Sequence, residues 1–234
     1  MMNIGLILSG GIGQRMNSQI PKQYLKCQEK MMITYSLETV YKHKQIDAVW
    51  IVAENIWRDK IEEEQRGFSE KFKGFSDPGK NRQLSILNGL RDISAFASAD
   101  DVVMIHDAVR PFLAEKQISD GLNAIKNHDG VVPVLSIKDT VYYSKDGKKI
   151  SELVKRNQIF AGQAPEFFRL AKYLKATEDL LPDKILRITG TTEVAIMAGL
   201  DVIMIPGDEN NFKITTPKDL ENYHRQIKER KNVF

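Results

Sequence analysis

The sequence predicts an α/β protein: a Rossmann-like, mostly parallel sheet with helices on both faces, plus a protruding β-hairpin arm. Three observations predict it. Short runs that are apolar throughout recur along the chain, as strands covered on both faces require. Segments with apolar residues at helical spacing alternate with those runs, the pattern of a parallel sheet with crossover helices. One stretch breaks the alternation with two strand-like runs about a tight turn.

Residues 3–8 (NIGLIL) form the first apolar run, which stops at Ser9-Gly10-Gly11. Residues 33–43 carry Ile33, Leu37, Val40 and Tyr41 at helical spacing, and 48–53 (AVWIVA) read as a second buried strand. Residues 67–81 mix Gly, Pro and charge and come closest to a linker, though the segment is too short to divide two domains. Residues 83–93 place Leu84, Leu87 and Leu90 on one helical face, and 101–105 (DVVMI) run as a strand into His106-Asp107. Residues 118–126 read as helix and 130–135 as strand. In the arm, 137–160, two strand-like runs (VYY and ISELV) flank a turn at Asp146-Gly147. Residues 202–205 (VIMI) are a late strand, and 217–231 a closing helix with Pro217 in its first turn. Trp50 and Trp57 read as strand core and loop cover.

The 234 residues suit one domain over 1–234 with the arm inserted in it. Hydrophobic residues at 42% supply a core and argue against disorder. A net charge of +3 is too balanced for a nucleic-acid wrapping protein. The single cysteine, Cys27, excludes a disulfide framework and a cysteine-rich zinc site. No apolar run approaches the roughly 20 residues that span a bilayer, and the start lacks the basic region of a signal peptide. The expected compartment is the cytoplasm.

Ligands of such sheets bind beyond the carboxyl ends of the strands. The loop after the first strand, LSGGIGQRM followed by PKQ, offers backbone N–H groups for close approach to a phosphate. A P-loop lacks support because no Gly-Lys-Ser/Thr occurs. A dinucleotide fingerprint lacks its third glycine at Met16, and the acid ending the second strand, Glu54, is too distant. What is left is a glycine loop with two cations, Arg15 and Lys22, suited to a triphosphate; the alternative is a tight structural turn with surface basic residues. After the third strand, Asp107 is placed to hold Mg²⁺ or to cap a turn. Arg110 is placed to hold that turn or a phosphate, and His106 reads as a hydrogen-bonded structural histidine.

LSGGIGQRM with PKQ, then GKNRQLSILNGL, HDAVRPF, an Asp-Thr pair, GQAPEFF and NNFKITTPKDL occur in that order. Together they resemble the 2-C-methyl-D-erythritol 4-phosphate cytidylyltransferase family, which includes the ribitol 5-phosphate cytidylyltransferases. The resemblance covers nearly the whole chain. It implies a CTP-dependent enzyme that joins CMP to a phosphorylated polyol and releases pyrophosphate. It implies that Ser9, Gly10, Gly11, Gly13, Arg15 and Lys22 hold the triphosphate, with Arg15, Lys22 and Lys213 catalytic. Gly79, Arg82 and Ser85 match a cytosine- and ribose-reading segment. Asp107 matches a Mg²⁺ aspartate, and Arg110, Ala164 and Lys213 face the acceptor. Thr140 and Arg156 match arm residues that hold the acceptor phosphate from a neighbouring subunit, so a homodimer is implied.

The chain departs from the isoprenoid branch at four places. The loop opens Leu-Ser-Gly-Gly, as in the ribitol phosphate enzymes. Ala164 and Glu166 replace Thr and Gln, Gly190 stands where an acidic residue is usual, and Asn210 is neutral. Asp208 and Glu209 are the nearby candidates for a second metal ligand. These changes fall in the acceptor half and favour ribitol 5-phosphate, with methylerythritol phosphate as the alternative. A non-catalytic nucleotide-binding module would need a broken site, yet Arg15, Lys22, Asp107 and Lys213 are all present. An NAD-dependent oxidoreductase is opposed by Met16 and the missing acid.

Overall fold

The computed structural model describes residues 1–11, 20–65 and 70–231. Its chain order is β1 (Asn3–Leu8), β2 (Lys26–Cys27), β3 (Lys30–Met31), α1 (Met32–Lys42), β4 (Ala48–Val52), α2 (Asn55–Glu64), β5 (Phe72–Ser76), α3 (Arg82–Ser94) and β6 (Val102–Asp107). There follow α4 (Glu115–Ala124), β7 (Gly130–Ser136), β8 (Val141–Tyr143), β9 (Glu152–Val154), β10 (Phe160–Gly162), β11 (Glu166–Arg169), α5 (Leu170–Glu178), α6 (Thr191–Met197), β12 (Val202–Pro206) and α7 (Pro217–Lys231).

The main sheet runs β10-β7-β11-β6-β1-β4-β5, with β12 on the other edge of β7. β6, β1, β4 and β5 are parallel, and β12 is parallel to β7. β11 is antiparallel to both β6 and β7, and β10 is antiparallel to β7. The predicted mostly parallel sheet is therefore found, with two antiparallel insertions that periodicity had not revealed.

One core packs α1, α2 and α4 on one face, around Ile7, Val49, Ile51 and Met104. The second packs α3, α5 and α6 on the other, around Ile4, Leu6, Val103 and Ile105. Alternate residues of β1 and β6 serve the two faces, which is why these strands are apolar at every position. Capping sets the helix starts. Asn81 Oδ1 accepts from Leu84 N at 2.8 Å to begin α3. The Glu193 carboxylate reaches back to the N–H groups of Thr189 and Gly190 at α6.

The linker-like stretch is corrected: its residues 72–76 are strand β5, the sheet's far edge beside β4. Half-exposed and interrupted by Gly74, it lacks the apolar continuity of an inner strand. α2 also escaped the sequence reading, because within it only Ile61 is buried. Trp57 lies on α2 and stacks at 4.3 Å on Tyr24 of the Lys22–Tyr24 turn, so it covers a loop as its sequence setting suggests. β8 and β9 pair as the predicted hairpin, but Phe160 belongs to the main sheet, so the arm ends before it. No described helix is long and apolar enough to cross a membrane.

Candidate active site

Leu8 at the end of β1 lies level with Val52 of β4 and Asp107 of β6, so three loops leave the sheet along one edge. The first is pinned before it diverges. Ser9 donates its N–H to Val52 O at 2.8 Å, and its hydroxyl to Tyr24 Oη at 2.9 Å. Gln23 Nε2 donates to the carbonyls of Ser9 and Gly11, both at 2.7 Å, folding the Pro21–Tyr24 turn back onto the glycines. Gly10 abuts Pro78, where an added Cβ would stand 2.3 Å away. Ser9, Gly10, Gly11 and Lys22 are thus placed around one loop base. Gly13 and Arg15 lie outside the described residues.

A further loop, after β5, leads into α3; Ser76 at the end of β5 is level with Val52 of β4. The Gly79 N–H donates to Ser85 Oγ at 2.9 Å, and Ser85 Oγ donates to Asn81 O at 3.0 Å. A Cβ on Gly79 would lie 2.4 Å from that of Leu84, so only glycine fits this turn. Ser85 is therefore engaged in closing the loop, and any contact it makes with a nucleotide would be an additional one. The sheet face of α3 also begins with a buried amide, Gln83, whose nitrogen and oxygen have no hydrogen-bond partner among the described residues. It is more than the plain amphipathic helix its leucines suggest.

Asp107 is the centre of the site. Arg82 on α3 donates from Nε and Nη2 to Oδ1 at 3.2 and 3.1 Å. Lys213 donates to Oδ2 at 2.9 Å, and Arg110 Nε stands 3.7 Å from the same oxygen. Burial alone would push this carboxyl up, but Arg82, Lys213 and Arg110 outweigh it and hold it far below the usual carboxylate range. Arg82 is correspondingly raised: burial opposes its charge, and Asp107 and Glu166 more than offset that. His106 is fully buried. Its Nε2 lies 3.1 Å from Arg110 O, an acceptor, so Nε2 carries the proton, and Nδ1 is bare and has no partner among the described residues. Burial pushes its imidazole down to about 4, and the structural reading of this histidine holds.

Lys213 and Arg110 depend on a network that the sequence did not reveal. Gln163 donates to the carbonyls of Asp208 and Asn211 at 2.8 and 3.2 Å, and accepts from Gln117 Nε2 at 3.0 Å. Asn211, fully buried, donates to Gln117 Oε1 at 3.0 Å and to Ala164 O at 2.9 Å. Its own carbonyl accepts from Arg110 Nη1 at 2.8 Å. Three amides thereby fix the segment that carries Lys213. Gln163 and Asn211 sat inside recognisable motifs, but nothing in sequence marked Gln117.

The acceptor-half departures meet here too. Arg82 Nη1 donates to Thr191 Oγ1 at 2.5 Å, and Glu166 accepts from Thr192 Oγ1 at 2.6 Å. Ala164 is buried. Asp208 accepts from the N–H and amide of Asn210, and Glu209 pairs with Lys138 on the arm side; neither contacts Asp107. Thr140 and Arg156 are exposed, and no hydrogen bond or ion pair among the described residues joins them to this cluster; Arg156 donates to Lys138 O at 2.7 Å. An open pocket of about 470 Å³ lies at that arm base, lined by Ser136, Lys138, Arg156 and Phe160 among others.

Among the described residues no three His, Cys, Asp or Glu side chains converge as a metal cage. Mg²⁺ commonly takes one or two carboxylates and completes its shell with water and substrate phosphates. Asp107 offers one carboxylate here, its Oδ1 held by Arg82 and its Oδ2 by Lys213.

The family model for 2-C-methyl-D-erythritol 4-phosphate cytidylyltransferase matches residues 4–227. The ribitol-5-phosphate cytidylyltransferase of Streptococcus agalactiae serotype V is 33% identical, over 99% of this chain and 98% of that protein. The 2-C-methyl-D-erythritol 4-phosphate cytidylyltransferase of Geobacter metallireducens is also 33% identical, over 98% and 99%. The crystal structure of 4-diphosphocytidyl-2C-methyl-D-erythritol synthase from Anaerococcus prevotii superposes with a TM-score of 0.85 at 22% identity, over 97% of this chain and 96% of that one. That last likeness speaks for the fold.

Proposed function

This chain belongs to the 2-C-methyl-D-erythritol 4-phosphate cytidylyltransferase family, and from that premise we propose that it joins CTP and ribitol 5-phosphate into CDP-ribitol and pyrophosphate. The observation that carries the chemistry is the ring of Arg82, Arg110 and Lys213 around Asp107 at the carboxyl edge of the sheet. A cluster of fixed cations suits transfer between two anions, where the task is to screen repulsion and stabilise developing charge.

An oxygen of the acceptor's phosphate attacks the α-phosphorus of CTP. The new P–O bond forms as the bond to the bridging oxygen breaks, and pyrophosphate leaves with that electron pair. The acceptor phosphate has a second pKa of about 6, so at neutral pH it arrives as an anion and needs no general base. Gly11, Gly13, Arg15 and Lys22, with Ser9 and Gly10 at the loop base, cradle the triphosphate. Gly79, Arg82 and Ser85 take the cytidine. Arg110, Lys213 and the wall at Ala164 face the acceptor. Asp107 is the residue that would hold Mg²⁺, and such an ion would supply charge neutralisation for the phosphates.

We further propose a homodimer in which the arm of one protomer brings Thr140 and Arg156 to the acceptor phosphate in its partner's site. Tyr142, Tyr143, Ile150 and Leu153 are exposed on the arm, an apolar set that a two-stranded ribbon has no core of its own to cover. A cytoplasmic setting suits these substrates.

Methylerythritol phosphate is the second acceptor, favoured by the family model and the Geobacter relative. The discriminating experiment measures pyrophosphate release from CTP and Mg²⁺ with each acceptor in turn. Ribitol 5-phosphate is expected to turn over at least about tenfold faster, the discrimination a lost or gained hydroxyl contact supplies. Turnover with methylerythritol phosphate alone overturns the acceptor assignment. Failure to bind CTP overturns the whole proposal.

A further inference from the structure

Glu166 opens β11 directly opposite Ile105 of β6. Opposed residues of an antiparallel pair share a face, and Asp107 lies two residues beyond Ile105 on that same face. Ile105 and Phe168 pack on the side of α3, α5 and α6. Glu166 and Asp107 therefore project side by side from the end of the sheet, toward Arg82 and the start of α6.

Glu166 is buried, its side chain 11% exposed. Its Oε1 accepts from Thr192 Oγ1 at 2.6 Å. Its Oε2 stands 3.9 Å from Arg82 Nη2, an ion contact too long for a hydrogen bond. Arg82 is already turned to Asp107 and Thr191. A carboxylate offers about four acceptor positions, and among the described residues a single hydroxyl fills one of them. Burying a charge so incompletely satisfied is unfavourable unless a ligand or water completes it.

We propose that Glu166 determines acceptor specificity: its free oxygen, Oε2, accepts a hydrogen bond from a hydroxyl of the phosphorylated polyol, while Thr192 and Arg82 fix the carboxylate's orientation. Charge decides which end of the acceptor it meets. An anionic oxygen repels the phosphate and attracts hydroxyl donors, so the polyol chain lies toward Glu166 and the phosphate toward Lys213 and Arg110. This inference rests on the polyol-phosphate acceptor proposed above.

The test compares wild type with Glu166→Gln, which keeps size and loses the charge. It measures CTP affinity by calorimetry without acceptor, and kcat and KM for whichever of the two acceptors wild type turns over. It adds monodeoxy versions of that acceptor. The expected result is an acceptor KM raised on the order of 10- to 100-fold, the range of a lost charge-assisted hydrogen bond, with CTP affinity within about twofold. One monodeoxy acceptor should be disfavoured by wild type and no longer disfavoured by the variant. An unchanged acceptor KM overturns the inference. So does a parallel loss of CTP affinity and thermal stability, which would make Glu166 a structural counter-charge. Wild type that binds CTP but turns over neither acceptor removes the acceptor proposal itself, and this inference with it.

Discussion

Asp107 is the anion on which three cations converge, and a variant there separates the charge from the shape. Asp107→Asn leaves Arg82, Arg110 and Lys213 facing one another without a counter-ion. Loss of one partner from a buried ion cluster typically costs about 3–5 kcal/mol, so the urea midpoint should fall markedly. Pyrophosphate release should fall by roughly 10²–10³ as the cations lose their preset positions. An enzyme of near-normal stability and rate would contradict the geometry. His106 gives a separate signature. Folded, it stays neutral down to about 4; unfolded, it takes a proton below its ordinary 6.5. The unfolded chain thus binds more protons between those values, and stability falls as pH drops through that window, by up to about 3 kcal/mol. Below the ordinary carboxyl value of 3.8 the depressed Asp107 adds a further loss of the same sign. Urea midpoints at pH 7 and 4.5 measure the first effect, which His106→Asn should flatten. The pair His106-Asp107 was legible in sequence as a strand end; the three cations around it come from chain positions 25 or more residues away on one side and more than 100 on the other, or one turn later.

At the scale of elements, the segment linking β12 to α7 matters because Lys213 rides on it. Asn211 ties that segment to Gln117 on α4 and to Ala164 ahead of β11. Asn211→Ala should cost about 1–3 kcal/mol for the partners left unsatisfied, a drop of several degrees in melting temperature for a chain of this size. It should also lower kcat, because Lys213 loses its anchor, while Lys213→Ala lowers kcat at least as far and also lowers the melting temperature, because Asp107 loses a charge partner. Thermal scans beside steady-state kinetics measure both losses. Elements with strong periodicity, β1, α1, β4 and α7, were legible within a residue or so. β5, α2 and β11 were not. β5 is a half-exposed edge, α2 is polar on most of its surface, and β11 is a four-residue antiparallel insertion. Each is held by neighbours more than by its own pattern.

At the scale of the whole molecule, shared sites make a numerical forecast. Arg156→Ala and Lys213→Ala protomers should each be nearly inactive alone. If the arm serves its partner, random mixing makes half the dimers heterodimers. Each of those has one site with both residues intact. Mixed and re-equilibrated protein should then regain about a quarter of wild-type turnover, a consequence of two-fold symmetry. No recovery, with mixed dimers demonstrated by sedimentation or native mass spectrometry, would show that each protomer uses its own arm.

The sequence by itself determined the α/β class, the apolar strands that end at the glycine loop and at His106-Asp107, the hairpin, and the ordered motifs of the family. These are local facts: a period, a turn, a residue type next in line. Only the tertiary structure decided that Arg82, Arg110 and Lys213 share one carboxylate, that Gln117, Gln163 and Asn211 support them, and that Glu166 stands beside Asp107 with an acceptor oxygen to spare. Those relations are set by strand register and helix packing, which bring distant residues within a hydrogen bond of each other. Such distances are a property of the fold and leave no period in the chain to read.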